Sequence, residues 1–518
     1  MLDQLLIHVS RFNIILLLLV SLTIYYQFRL FQSNRKIRAL GGHAPVRTTW
    51  LPFGIELIYN GVKYHKAQRN LELWLGFFHG YGNPANPYTI EATACGQRVI
   101  FTADPENIKA VLATQFQDFG KGKMFNEEWH DFLGDSIFTT DLEQWHDSRQ
   151  LIRPQFVRDR LSDLEVFERH VGVLIEKLAG GEEVELVDLF FRYTLDAATD
   201  FLLGRSVDSL QTPQVRFANA FAEVQRVQAV ISRSGPLNRL IPRAAFHANL
   251  RVINEFVAPY IEEALVLSPA ELEQKTKSAS GYTFLHALAR FTRDRTVLRD
   301  QLVAVLLAGR DTTACTLSWL FFELSRNARV VRALRREVLD VVGLGRAPTY
   351  AHLKSMRYLQ HTLNETLRLY PVVPFNVRVA LRDTSLPHGG GADSLQPIGV
   401  LAGSPVGYST LVMQRRGDGE IYPDPRATSF PPILDFVPER WAAWTPKPWT
   451  YLPFNGGPRI CVGQQFALTE MAYTVVRILQ RFERVEGGGE GEPGLKAEIV
   501  LQPARGVKAR FWREGESE

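Results

Sequence analysis

The sequence predicts a mainly α-helical protein with a small β region, folded as one large domain behind an N-terminal transmembrane helix. Three observations support this fold class. Apolar residues recur at helical spacing in several long segments, which favours amphipathic helices. Short segments of strand-like composition cluster early in the chain. An uncharged apolar run, bracketed by arginines, lies close to the N-terminus and is typical of a membrane anchor.

The composition is that of a globular protein. Of the 518 residues, 46% are hydrophobic and 22% are charged. Lys and Arg number 59 against 55 Asp and Glu, so no nucleic acid or other polyanionic partner is expected. The three cysteines contain no CxxC pair, which excludes a disulfide framework and indicates a reducing compartment. No polar linker divides the chain after residue 40, so residues 51–518 are predicted to form one domain.

The apolar run covers residues 12–28. At about 1.5 Å per residue it nearly spans a bilayer core of about 30 Å. Basic residues are more numerous after the run than before it, so the positive-inside rule places residues 1–11 in the lumen and the catalytic part in the cytoplasm. The short span suits the membrane of the endoplasmic reticulum. The alternative, a cleaved signal peptide, lacks a small-residue cleavage site, and residues 29–50 are instead a basic, proline-containing linker.

The remaining elements follow in chain order. Strands are predicted at residues 88–94 and 98–102. Pro371 ends one of the predicted helices, and the proline- and glycine-rich segment 371–459 is predicted to be irregular. Helices are predicted at residues 163–178, 212–232, 250–267, 298–326, 350–369 and 463–482.

A glycine-rich loop, residues 454–463, reads FNGGPRICVG and precedes the last predicted helix. A lone cysteine such as Cys461 is most often an inert core thiol. Three features favour a thiolate ligand instead. The glycines let the backbone approach a flat partner, Arg459 places a cation nearby, and the helix N-terminus lowers the pKa of the thiol. A thiolate ligand pushes electron density to iron and favours O–O cleavage.

A second candidate site, residues 308–313, reads AGRDTT within the longest predicted helix. Glycine in a helix interior costs about 1 kcal/mol relative to alanine. Arg310 and Asp311 are also unfavourable in a buried segment, and several broken local rules in one turn suggest a functional site. We expect the groove at Gly309 to admit dioxygen or water, Thr312 to donate a hydrogen bond to bound oxygen, and Asp311 to supply protons.

Together these motifs resemble the cytochrome P450 family. The loop matches the family's heme-binding signature FxxGxRxCxG at Phe454, Gly457, Arg459, Cys461 and Gly463. The AGRDTT turn resembles the family's oxygen-activation motif. The resemblance covers nearly the whole chain after about residue 40, and several segments are similar to the fungal alkane- and fatty-acid-hydroxylating branch. It implies the cytochrome P450 fold, heme b (iron protoporphyrin IX) as cofactor, and Cys461 as axial ligand of the heme iron.

Two further motifs imply a structural network. Glu365 and Arg368 lie three residues apart, so they share one helix face and can pair. An exposed pair of this kind would contribute little to stability. The pair resembles the family's ExxR motif, and the segment PERW with Arg440 resembles its PERF/W box. The resemblance implies that Glu365, Arg368 and Arg440 form a buried ionic network that holds the heme loop.

Other cations are implied contacts of the heme propionates. Trp145 and Arg149 match the family's WxxxR pattern, and Arg378 and Arg459 match further propionate contacts. Each arginine could equally lie on the surface, although pairing of propionates with arginine is physically expected. The chain departs from the family pattern at Gln414, where His is expected, and the segment that follows Gln414 is longer and richer in proline.

The resemblance implies NADPH- and dioxygen-dependent hydroxylation of an apolar small molecule. The tail after Phe482 is too short for a flavin domain, so electrons are expected from a separate NADPH–cytochrome P450 reductase, docked near Arg459 and Lys447. Two substrate hypotheses stay open: an alkane or fatty acid, and a polyketide or similar lipid-like metabolite. A heme-thiolate isomerase or dehydratase, or a non-catalytic heme sensor, would have little use for the pair Asp311 and Thr312.

Overall fold

The structure is a computed structural model that describes residues 2–156, 164–212, 215–277, 283–419, 421–423, 429–487, 491 and 494–516. Helices dominate it, as the sequence predicts. They are α1 (Leu2–Ala39), α2 (Ile55–Lys66), α3 (Asn70–Tyr81), α4 (Pro105–Lys109), α5 (Lys123–Leu133), α6 (Leu142–Ile152), α7 (Glu165–Leu178), α8 (Leu186–Leu203), α9 (Arg216–Arg233), α10 (Ala244–Val266), α11 (Pro269–Lys277), α12 (Phe284–Ala289), α13 (Arg295–Leu324), α14 (Ala328–Val341), α15 (Tyr350–Ser355), α16 (Arg357–Leu369), α17 (Thr410–Gln414), α18 (Arg440–Ala443) and α19 (Gln464–Arg481).

The strands form small sheets. They are β1 (Thr89–Ala94), β2 (Gln97–Thr102), β3 (Phe119–Gly120), β4 (Val184–Glu185), β5 (Phe375–Ala380), β6 (Thr384–Gly390), β7 (Gln396–Val400), β8 (Pro405–Ser409), β9 (Arg484–Glu486), β10 (Leu495–Ala497), β11 (Leu501–Pro503) and β12 (Lys508–Trp512). The largest sheet has the order β1-β2-β8-β5-β3, in which β2 and β8 are parallel and the other pairs are antiparallel. This sheet places Arg378 on β5 opposite Val406 on β8.

Helix α13 is the centre of the helical layer. It begins at a side-chain cap, because Asp294 accepts the backbone N–H groups of Thr296 and Val297 at 2.7 and 3.2 Å. It packs against α8, α16 and α19, and most of its residues are buried. At its C-terminal end the ring of Trp319 stacks on Tyr370 with 4.1 Å between centroids. A helix buried on most sides places the AGRDTT turn inside the fold.

The apolar part of helix α1 is exposed at Ile14 and from Leu16 to Phe31. Its C-terminal end belongs to the folded body, because Ile37 is 2% exposed and a Cβ on Gly399 of β7 would lie 2.5 Å from the Ile37 carbonyl oxygen. Within the part of the chain that the structure describes, no helix has the length and hydropathy needed to cross a bilayer. The transmembrane anchor at residues 12–28 and the domain boundary at residue 51 stay predictions.

Two local predictions are wrong. Residues 350–369 form two helices rather than one, because Met356 leaves the helical conformation and the Glu337 carboxylate caps the start of α16 through the N–H groups of Tyr358 and Leu359, both at 2.9 Å. The segment 371–459 is not irregular throughout, since it contains β5 to β8. Strands β5 and β8 pair with the distant strands β3 and β2, and in the hairpin of β6 and β7 Pro387 and the glycines of β6 obscure the strand pattern.

Candidate active site

The loop before α19 is shaped by close contacts of its backbone. Gly457 has φ +67°, and a Cβ there would lie 1.8 Å from the Leu112 carbonyl oxygen, so the position requires glycine. The Cys461 N–H donates to the Phe454 carbonyl at 3.0 Å and closes the loop on itself. Gly463 is the N-cap position of α19. The loop therefore presents Cys461 from a backbone that is fixed at both ends.

The thiol of Cys461 faces an interior cleft. The residue is exposed, yet burial raises the pKa of its thiol, so its accessible surface lies within the fold. The N–H of Gly463 and the charge of Arg149 act in the opposite direction. The sequence predicts a lowered pKa, and for the protein alone this is wrong because desolvation exceeds both effects. A coordinated metal ion deprotonates a thiol outright.

Arg459 does not lie against the sulfur, contrary to the sequence prediction. Its guanidinium donates to the Asp141 carboxylate at 2.6 Å and to the Thr140 carbonyl at 2.8 Å. It stacks over the buried ring of Trp145 at 4.7 Å. Arg149 is the cation beside the loop, since it donates to the Ile460 carbonyl at 2.9 Å.

A buried cation cluster lies next to this loop. Lys121 and Arg378 share the amide oxygen of Asn376, at 3.3 and 2.8 Å. Burial and the charges of Arg378 and Arg459 hold the pKa of Lys121 well below its usual value, and only the Asp141 carboxylate opposes them. Burial and Arg378 likewise lower the pKa of Arg459 to about 10. Sequence reasoning missed Lys121, whose only signal is a cation between two glycines.

This cluster fits an anionic ligand with more than one charge. Among the described residues, the carboxylate that acts on Lys121 and Arg459 is that of Asp141. The Nε of Arg459 is buried and has no hydrogen-bond partner among the described residues. An unpaired buried donor is costly, and carboxylates are the acceptors that guanidinium groups prefer. The residues present therefore fit the two propionates of a heme whose iron Cys461 would bind.

The AGRDTT turn lies in the buried middle of α13. A Cβ on Gly309 would contact only the Cβ of Ala198 among the described residues, at 4.0 Å, so the turn leaves open space there. The Thr312 hydroxyl donates to the Ala308 carbonyl at 2.7 Å. A hydroxyl has one hydrogen, so donation to any other acceptor requires an exchange of this bond.

Asp311 is 1% exposed and pairs with its neighbour Arg310 at 3.2 Å. Burial raises the pKa of Asp311 to about 6, against the lowering effects of Arg310 and of the Gln225 amide. The Arg310 guanidinium also lies 5.0 Å from the Phe191 ring centroid. This cation–π contact and the ion pair with Asp311 together stabilise the buried charge of Arg310. A carboxyl group with this pKa can exchange a proton near neutral pH.

Glu470 of α19 connects the two halves of the site. It is 2% exposed, and its carboxyl group interacts with the Thr313 side chain of the AGRDTT turn. Burial raises its pKa to about 8. From Gln464 to Glu470 the helix rises about 9 Å at 1.5 Å per residue. The crossing of α13 and α19 thus brings the turn and the Cys461 loop close together. Sequence reasoning assigned Glu470 no role.

The residues Glu365, Arg368 and Arg440 are buried and in contact. The Glu365 carboxylate accepts two bonds from Arg368, at 2.8 and 3.0 Å, and one from Arg440 at 2.8 Å. It also accepts the Trp441 indole N–H and the Val437 backbone N–H, both at 3.0 Å. One carboxylate therefore fixes the segment 437–441 against α16.

Comparison with known proteins agrees with these features. The family model for cytochrome P450 matches residues 89–510. The cytochrome P450 monooxygenase pvhE of Talaromyces variabilis is 50% identical over 501 residues, 93% of this chain and 92% of that protein. Cytochrome P450 52A1 of Candida tropicalis is 41% identical over 452 residues, 82% of this chain and 80% of its own. The monooxygenase g430 of a Fusarium species is 39% identical over 485 residues, 89% and 82% of the two chains.

Proposed function

The chain belongs to the cytochrome P450 monooxygenase family of oxidoreductases, and on this premise we propose that it hydroxylates an apolar, long-chain aliphatic substrate. The reaction consumes dioxygen and electrons from NADPH, delivered by a separate NADPH–cytochrome P450 reductase. The observation that carries the proposal is the crossing of α13 and α19 at Thr313 and Glu470, which brings the AGRDTT turn close to the Cys461 loop.

The cofactor is heme b, and the chain offers a partner for each part of it. Cys461 binds the iron, Gly457 lets the Cys461 loop pack against the Leu112 carbonyl, and Lys121, Arg378 and Arg459 pair with the propionates. The Trp145 ring packs against the Arg459 guanidinium, and Arg149 donates a hydrogen bond to the Ile460 carbonyl of the loop. When bound, the heme supplies the oxygen-activating chemistry of a thiolate-ligated iron.

Asp311 and Thr312 serve proton delivery. The Asp311 carboxyl group, with a pKa of about 6, takes up and releases protons near neutral pH. Thr312 exchanges its bond to the Ala308 carbonyl for one directed into the cleft. The open space beside Gly309 admits water or dioxygen. The role of Glu365, Arg368 and Arg440 is structural, because their ion pairs attach the segment before the Cys461 loop to α16.

An alkane or fatty acid is the proposed substrate class. Val373, just before β5, and Val377, within β5, are 40% and 47% exposed and present apolar surface. The alternative is oxidative tailoring of a polyketide or other lipid-like metabolite by the same chemistry. It is favoured by the 50% identity to a relative outside the P450 52A group. Product analysis with a long-chain fatty acid and an alkane separates the two, since no turnover of either would favour the alternative.

The reductase is proposed to dock on the face near Arg149. Arg459 is removed from this surface, because its side chain is 7% exposed. Arg153, which acts on the charge of Arg149, is exposed, and so is Lys354, which contacts Gln465 in the first turn of α19 at 2.8 Å. Lys447 is exposed as well. Lys354→Glu should slow reduction of the iron by the reductase, whereas chemical reduction by dithionite should proceed as in the unmodified protein. Equal rates of enzymatic reduction would exclude this face.

The proposal includes anchoring in the endoplasmic reticulum membrane through residues 12–28, with the catalytic domain in the cytoplasm. The exposed apolar side chains of α1 and the basic residues Arg35, Lys36 and Arg38 support it. The full chain should stay in the membrane pellet after alkaline carbonate extraction, and a chain starting at residue 29 should be released. Release of both would contradict anchoring.

The central test is the carbon monoxide difference spectrum of the reduced protein. A thiolate-ligated heme gives a Soret band well to the red of a histidine-ligated heme. Cys461→Ser should lose this band, whereas Cys315→Ser, which removes the buried thiol of α13, should keep it. A histidine-type band in the unmodified protein would overturn the proposal.

A further inference from the structure

Gln414, where the chain departs from the family pattern, lies at the end of α17 and is 2% exposed. Its amide nitrogen donates to the carbonyls of Leu367 and Arg368, both at 3.0 Å. Its amide oxygen accepts the backbone N–H of Leu452 at 2.8 Å. Both polar atoms of this buried side chain are therefore satisfied, and each points to a different segment.

The two carbonyls belong to the last turn of α16, the helix that carries Glu365 and Arg368. The last carbonyls of a helix have no donors within the helix. Gln414 supplies two donors, and the neighbouring Arg415 donates twice to the Leu369 carbonyl, at 2.9 and 2.7 Å. The end of α16 is thus capped by side chains from α17 and the residue after it.

The segment containing Leu452 leads directly to the Cys461 loop. Leu452 lies two residues before Phe454, whose carbonyl accepts the N–H of Cys461 at 3.0 Å. One residue earlier, the Tyr451 hydroxyl donates to the Asn364 carbonyl of α16 at 3.2 Å. A short stretch of backbone therefore connects the Gln414 amide to the residue that carries the sulfur.

The Gln414 hydrogen bonds are separate from the Glu365 network. Glu365 fixes the chain at Val437, Arg440 and Trp441, whereas Gln414 fixes it at Leu452, nearer to Cys461. Both sets of contacts attach their segments to α16. Between residue 442 and the Cys461 loop, the Leu452 bond to Gln414, at 2.8 Å, is shorter than the Tyr451 contact with Asn364 at 3.2 Å and the Asn455 contact with Tyr408 at 3.1 Å.

We propose that Gln414 is a positioning residue that sets the place of the Cys461 sulfur relative to the heme iron. The inference rests on the proposed heme-thiolate function. An amide offers two donor hydrogens and an acceptor at once. A neutral imidazole offers one donor and one acceptor, and it loses the acceptor when it is protonated. Glutamine therefore forms all three hydrogen bonds, to the carbonyls of Leu367 and Arg368 and from the N–H of Leu452, and it does so independently of pH.

The test uses the full-length holoenzyme and three variants. Gln414→Leu removes the hold, and Gln414→His restores part of it. Gln480→Leu is the matched control, because Gln480 of α19 is 6% exposed and its amide donates to the carbonyls of Gly343 and Arg346, away from the loop. The readouts are the half-life of the thiolate-type carbon monoxide spectrum and the reduction potential of the iron.

Gln414→Leu should lose the thiolate spectrum on the order of tenfold faster than the unmodified protein, because each lost hydrogen bond changes an equilibrium several-fold. Its reduction potential should also shift. Gln480→Leu should lower thermal stability to a similar extent and leave both readouts unchanged. At pH 8 Gln414→His should lose the spectrum at a rate between those of the unmodified protein and Gln414→Leu, and it should lose it faster below about pH 6.5, where imidazole becomes protonated.

Equal loss of the spectrum in Gln414→Leu and Gln480→Leu, with an unchanged potential, would overturn the inference. If Gln414→Leu does not fold, Gln414→His decides, and a spectrum that decays at the unmodified protein's rate at every pH would overturn the inference. Absence of the thiolate spectrum in the unmodified protein would count against the proposed function instead.

Discussion

Replacement of Glu470 by glutamine should stabilise the protein at neutral pH. The carboxyl group is buried between α13 and α19, and its pKa in the folded protein is about 8, against 4.5 for the free side chain. At pH 7 folding therefore requires uptake of a proton, which costs about 3 kcal/mol, from 2.5 pH units at 1.36 kcal/mol each. Glutamine has nearly the same shape and no such requirement.

The stabilisation should depend on pH with a defined sign. Between pH 4.5 and 8 the folded protein binds more protons at Glu470 than the unfolded chain, so its stability falls as pH rises through this window. The advantage of Glu470→Gln should therefore grow by about 1.4 kcal/mol per pH unit up to pH 8 and then level off. Guanidinium unfolding of both holoproteins at pH 5, 6, 7 and 8 measures it, and their shared heme contribution cancels in the difference. A difference that is constant with pH, or a less stable variant at pH 7, would refute the reasoning.

Four further changes test the site. Glu365→Gln leaves two buried guanidinium groups without a counter-charge and should cost about 3–5 kcal/mol, seen as loss of heme-loaded protein on expression; normal yield would contradict the network. Asp311→Asn should abolish the limb near pH 6 in the pH profile of product formation, and an unchanged profile would exclude its proton role. Lys121→Met should speed heme transfer to an acceptor globin and stabilise the heme-free chain, whose buried cations repel; slower transfer would contradict this. Among the described residues, the Cβ of Gly309→Ala would contact only Ala198, at 4.0 Å, so the substitution should stabilise α13 by about 1 kcal/mol. It should also lower the yield of product per dioxygen consumed, and an unchanged yield would show that the groove is dispensable.

The features that the sequence predicts well are local ones. The longest predicted helix, residues 298–326, is observed as α13 at Arg295–Leu324, because its apolar pattern and its cap lie within or next to the segment itself. The Cys461 loop is similar, since its glycines and its proline occupy ten consecutive positions directly before α19. Where the determinants lie within one turn or one helix, the residue pattern suffices to place them.

The features that it predicts poorly depend on distant partners. Arg459 turns to Asp141, which is 318 residues away in sequence, and no pattern near Cys461 indicates this. The role of Lys121 in the cation cluster depends on Arg378 and Arg459, which lie far from it in sequence. Gln414 stands out in the sequence as a departure from the family pattern. Its hydrogen bond with the Leu452 N–H, however, depends on how α16 and the segment before the Cys461 loop are placed in the fold.

The buried cations connect stability with cofactor binding. Burial and mutual repulsion lower the pKa values of Lys121 and Arg459, so the cluster with Arg378 opposes folding of the chain by itself. A ligand with two carboxylates reverses this effect, since it pairs the charges and satisfies the Arg459 Nε. Any ligand that binds only the folded state adds its binding free energy to stability. The same residues that make the heme-free fold costly therefore make heme binding favourable, and substitutions that neutralise them should raise the stability of the heme-free chain while they lower its affinity for heme.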